Sequence, residues 1–90
     1  MDLTALRREI DSIDDELIRL FVKRMDVCAQ VAEYKKTNDL PILMSAREQE
    51  KLEDVVRKAG PEMADYTKRL YTLLFELSRD YQTRRNEVTP

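Results

Sequence analysis

A chain of 90 residues with one glycine, three prolines and 38% charged residues holds one domain at most and little material for turns or sheets, which points to a helical bundle. Its net charge of −2 argues against nucleic acid as the main partner, and the lack of any membrane-length apolar run or opening signal peptide predicts a cytosolic location with no membrane partner. Histidine is absent, Cys28 is the single cysteine and no glycine-rich phosphate loop occurs, so a metal site, a Ser-His-Asp triad, an internal disulfide and a bound cofactor are not expected.

The first expected element runs from Leu3 to Asn38 without Gly or Pro. Leu3, Leu6, Ile10, Ile13, Leu17, Leu20, Arg24, Val27, Val31 and Tyr34 recur at three- and four-residue steps, a heptad-like seam that predicts one long helix. Asp2 or Thr4 is its expected cap. Such a helix spans about 54 Å, whereas a compact monomer of this length is about 30 Å across. Its far half must therefore bury its stripe against another chain or another domain, and a homo-oligomer is the simpler expectation. Cys28 lies beside the seam and is read as a small buried apolar residue.

Asn38 and Pro41 are stop signals. Ile42, Leu43 and Met44 are expected to pack across the bundle. Ser45-Ala46-Arg47-Glu48 matches a capping box, with Ser45 as N-cap and Glu48 three places on, opening a second helix that ends near Ala59. Leu52, Val55 and Val56 give its buried face, and Gly60-Pro61 punctuates. A third helix is expected from Pro61 to Asn86, with Met63, Tyr66, Leu70, Leu73, Leu74 and Leu77 on its apolar side. A second line, Tyr71, Leu74, Ser78, Gln82 and Arg85, turns from apolar to polar halfway along, and the tail from Glu87 to Pro90 is expected to fray.

Arg24 interrupts the apolar seam, and a cation there is costly unless something negative meets it. It is either a side chain snorkelling at the seam edge or a ligand for an anion. Lys35 lies eleven residues on, about 20° round the helix and about 16 Å along it, so the two long cations can grip a small dianion between them. Arg7 is about 100° off that face and about 25 Å from Arg24; within a dimer it can serve the partner's pocket. Taken alone, Lys35 and Arg47 also fit a solvated surface, Glu48 a helix cap, and Ser78 and Gln82, one turn apart, the rim of the third helix.

Leu6 to Asp14, Leu20 to Arg24, Val31 to Lys35, Pro41, Arg47-Glu48, and Ser78 with Gln82 together resemble the all-α chorismate mutase family, over almost the whole chain. The resemblance implies an intertwined homodimer of three-helix protomers that rearranges chorismate to prephenate on the route to phenylalanine and tyrosine, without nucleophile, metal or cofactor. It further implies that Arg24, with Arg7 from the other protomer, grips the substrate's two carboxylates. Ser78 would help hold the ring carboxylate, Lys35 and Gln82 would donate to the ether oxygen, Glu48 would accept from the ring hydroxyl, and Arg47 would support the carboxylate end. The family usually carries an acidic residue where this chain has Met44. Two other functions fit the same residues: an isochorismate–pyruvate lyase on the same fold, and a catalytically silent helical dimer that regulates or tethers a fused enzyme. The full cationic set with Gln82 argues against the silent module.

Overall fold

A computed structural model describes residues 2–87, and among them the backbone forms helices joined by turns, with no strand: α1 (Leu3–Thr37), α2 (Ser45–Ala59) and α3 (Ala64–Glu87). The tail residues Val88 to Pro90, where fraying is expected, lie outside the described range, and Glu87 is still helical.

Asp2, not Thr4, caps α1: its Oδ1 accepts from the Thr4 N–H at 3.2 Å. The helix stops one residue before the expected end, because Asn38 turns its side chain back and donates Nδ2 to the Tyr34 carbonyl at 2.9 Å. Asp39 then takes a left-handed φ of 57°, a conformation that Asp tolerates better than most residues. The Leu40 N–H reaches the Lys35 carbonyl at 2.7 Å, which folds the following loop back against the last turn of α1. In that loop Ile42 is half-buried, whereas Leu43 and Met44 are exposed, so only the first of the three packs inward.

α2 begins at Ser45, yet the capping box does not form. Met44 is the N-cap, with no side-chain cap bond, and Ser45 is the first helical residue. That shift puts Glu48 one place past the box position, and its carboxylate pairs instead with Arg79 of α3. Gly60 ends the helix at φ 85°, ψ 167°, a combination open essentially to glycine alone. Pro61 to Met63 form a turn rather than the first turn of α3; the helix starts at Ala64, with the Thr67 N–H on the Met63 carbonyl at 2.8 Å.

α3 is the middle of the protomer, packing on both α1 and α2 while those two do not pack on each other. Ala32, Val55 and Phe75 are the buried apolar side chains, and the Phe75 ring meets Tyr71 edge to face with centroids 6.1 Å apart. Leu52 and Val56 are half-buried beside Val55, as the second helix's pattern requires. Ser78 and Gln82 are buried too, so they belong to the inner face of α3 and not to its rim. By contrast Met63, Tyr66, Leu70, Leu73 and Leu77 face outward, and the α1 seam from Leu3 to Leu20 is exposed along its whole length. The chain measures 54 × 30 × 14 Å with a radius of gyration of 16.3 Å, against about 12 Å for a compact globule of this length. No helix among the described residues is long and apolar enough to cross a membrane.

Candidate active site

A stripe on α1 builds one wall of a cleft of about 220 Å³. Arg24, Cys28, Val31 and Lys35 follow one another at steps of four, three and four, so all four project from the same side of the helix. Phe75, Ser78 and Gln82 of α3 face them, and the loop and first turns of α2 close the third side with Ile42, Met44, Arg47 and Glu48. α3 can bring Ser78 and Gln82 here because Tyr71, Leu74 and Phe75 anchor the same helix face one to two turns earlier.

The polar groups of the cleft are wired together. Lys35 Nζ donates to the Ile42 carbonyl at 2.8 Å and to Gln82 Oε1 at 3.4 Å. Gln82 Nε2 donates to Ser78 Oγ at 2.9 Å, and Ser78 Oγ in turn donates to Cys28 Sγ at 3.0 Å. Arg24 Nη1 lies 4.0 Å from the same sulfur. An ammonium carries three protons and a primary amide two, so Lys35 and Gln82 each keep one proton beyond those these contacts use.

The charges are unbalanced. Among the described residues neither Arg24 nor Lys35 is ion-paired with a carboxylate, although both are half-buried. Lys51 lines the cleft as well but leans on Asp54 at 3.5 Å. Arg47 is at the rim, largely exposed, 3.7 Å from Glu50. Glu48 is the cleft's carboxylate, and Arg79 holds it. The arrangement suits a small anion with more than one negative group, gripped by cations at both ends of an apolar-walled slot and met by neutral donors between them. Asp54, whose carboxyl is held below its ordinary 3.8 chiefly by the hydrogen bond from Lys58, lies outside the cleft.

Seven of the eight residues singled out from the sequence therefore meet at one place: Arg24, Lys35, Met44, Arg47, Glu48, Ser78 and Gln82. Arg7 does not join them; it is exposed, about 25 Å along α1 from Arg24. Cys28 and Arg79 line the cleft without having been expected there. The position of Cys28, four after Arg24 and seven before Lys35, is a signal that the seam pattern overrode. Arg79 gave no such signal, since only the packing of α2 on α3 brings Glu48 to it.

Comparison with known proteins gives the chain's family. The family model for chorismate mutase type II matches residues 6–83. The T-protein of Haemophilus influenzae is 50% identical over 46 residues, 51% of this chain and 12% of its own length. That of Enterobacter agglomerans is 47% identical over 47 residues, 52% of this chain and 13% of its length. The bifunctional chorismate mutase/prephenate dehydratase of Aquifex aeolicus is 39% identical over 56 residues, 62% of this chain and 16% of its length. The chain thus spans about an eighth of the T-proteins it matches. No solved structure gives a significant match. Because the family match runs from Leu6 past Gln82 and takes in every wall of the cleft, this chain belongs to the chorismate mutase type II family.

Proposed function

We propose that this chain is a chorismate mutase, working as a homodimer in which each cleft is completed by Arg7 of the partner protomer. One observation carries the reading: two half-buried cations without a carboxylate partner, Arg24 and Lys35, share a small cleft with two buried neutral donors, Ser78 and Gln82. A cation partly withdrawn from water without a carboxylate partner is costly, so a site that keeps two half-buried ones is shaped for an anionic ligand. Chorismate carries two carboxylates and an ether oxygen between them.

The reaction is an intramolecular rearrangement: the ether C–O bond breaks as a C–C bond forms from the enolpyruvyl methylene to the ring, and no proton changes place. Arg24 and the partner's Arg7 fix the two carboxylates, with Ser78 on the ring carboxylate and Arg47 at the mouth. Fixing both ends holds the enolpyruvyl arm over the ring, which removes much of the entropic part of the barrier. The ether oxygen gains negative charge as its bond to the ring breaks. The remaining protons of Lys35 and Gln82 meet that charge from positions already set by Ile42 and Ser78, so little reorganisation is needed at the moment of reaction. Glu48 accepts from the ring hydroxyl, and Met44 contributes apolar wall where its relatives' usual acid would stand.

Dimerisation rests on the exposed seam. Leu3, Leu6, Ile10, Ile13, Leu17 and Leu20 form an apolar stripe along a helix that reaches beyond the rest of the protomer. Arg7 sits against that stripe, one turn from Leu3 and Ile10. A second copy pairing along it carries Arg7 to the neighbouring cleft.

Incubating the protein separately with chorismate and isochorismate tests the activity. Consumption of chorismate with prephenate as product is expected. Release of pyruvate from isochorismate, with chorismate untouched, makes the chain a lyase, and inertness toward both makes it a silent helical module.

A further inference from the structure

The Arg79–Glu48 pair joins α3 to the first turn of α2, and its position is unusual. Both residues line the cleft, and both also line a second hollow on the other side, between α2 and α3, together with Ser45, Gln49, Leu52 and Thr72. The Glu48 side chain therefore stands in a partition with open space on either side. Arg79 Nη1 meets Glu48 Oε1, while Oε2 has no partner among the described residues. The two side chains are only 34% and 26% exposed, so the pair is less screened than Arg47–Glu50 at the rim and about as sheltered as Lys51–Asp54.

We infer that Arg79 is a positioning residue: it pins one oxygen of Glu48 in the partition, so that the other is presented to the cleft rather than to the hollow behind it. The inference rests on Glu48 receiving the substrate's hydroxyl. Without Arg79 the carboxylate has two places to go, and only one of them is productive. Arg79 does not itself touch the reacting atoms. Its cation also balances the one carboxylate of the cleft, which leaves Arg24 and Lys35 free for the substrate's own charges instead of drawing Glu48 to them.

A double-mutant cycle reads this directly. Arg79→Met keeps the length and apolar stem and removes the cation; Glu48→Gln removes the charge the cation acts on. Steady-state kinetics with chorismate are measured on both single variants, on the double variant and on Arg79→Lys, with thermal melts to confirm that each is folded. In the wild-type background Arg79→Met is expected to lower kcat/KM about tenfold, in the range for losing a hydrogen bond to a charged group, mainly through KM. In the Glu48→Gln background the same change is expected to do almost nothing, and Arg79→Lys is expected to recover most of the loss. Equal losses in the two backgrounds overturn the inference, because Arg79 then acts independently of Glu48. A fall in melting temperature with KM unchanged also overturns it, making the pair a clamp between α2 and α3 and nothing more. A wild-type protein with no turnover removes the inference together with the reading it rests on, whereas an active wild type with additive losses removes the inference alone.

Discussion

Arg24 is half-buried on an apolar stripe, with Cys28 Sγ 4.0 Å from its guanidinium. A residue kept there for stability would be expected to have a carboxylate beside it. Arg24→Ala is therefore expected to leave the melting temperature unchanged or raised while lowering kcat/KM at least about hundredfold, about 2.7 kcal/mol of transition-state stabilisation. A loss under tenfold with a lower melting temperature would make Arg24 structural. Gln82 gives a different kind of test. As a neutral amide it donates at every pH, whereas the carboxyl introduced by Gln82→Glu donates only when protonated, and Lys35, 3.4 Å away, favours its ionised form. The variant's kcat/KM is expected to fall as pH rises across a range where the wild-type profile is flat. Two profiles of the same shape would separate Gln82 from the developing charge on the ether oxygen.

At the scale of helices, Gly60 joins α2 to the turn before α3 with a positive φ of 85°, and a Cβ built there meets nothing within 4 Å. Gly60→Ala therefore strains the backbone without a clash, and a stability loss of about 1–3 kcal/mol is expected from calorimetric melts; an unchanged melting temperature would show that the turn relaxes freely. Gly60 is legible in the sequence because punctuation is local, and so are the limits of α1 and α2 to within a residue. The cap of α2 was not. Ser45 and Glu48 have the right spacing for a box, but Glu48 finds a stronger partner in Arg79, thirty-one residues away, and a tertiary ion pair outweighs a local hydrogen bond. The site divides in the same way. Arg24 and Lys35 can be paired from their spacing on one helix, and Ser78 and Gln82 from theirs, since each pair obeys a helical period. That the two pairs face each other across a cleft depends on α3 packing against α1, which no period along either helix encodes. The outer stripe of α3 misled for a related reason: Leu70, Leu73 and Leu77 are apolar and regular, yet they point away from the protomer, because Leu74, Ser78 and Gln82 take the inner face.

For the molecule as a whole, the apolar stripes that one protomer leaves open bear on the proposal that two protomers share each cleft. Along the 54 Å length of the chain, α1 leaves every apolar residue of its seam exposed, from Leu3 to Tyr34, and Arg7, the cation proposed to complete the cleft, lies beside the first half of that seam. If pairing of two seams both buries the stripe and delivers Arg7, then Arg7→Ala and Lys35→Ala damage opposite halves of a shared site. Each variant is expected to be inactive as a homodimer. Mixed in equal amounts and allowed to exchange subunits, they form hybrids carrying one cleft with both lesions and one with neither. About half the dimers are hybrids with one intact cleft, so chorismate turnover is expected to return to at most about a quarter of the wild-type level. No recovery despite exchange verified by mass spectrometry, or a folded monomer in sedimentation, would contradict the shared site.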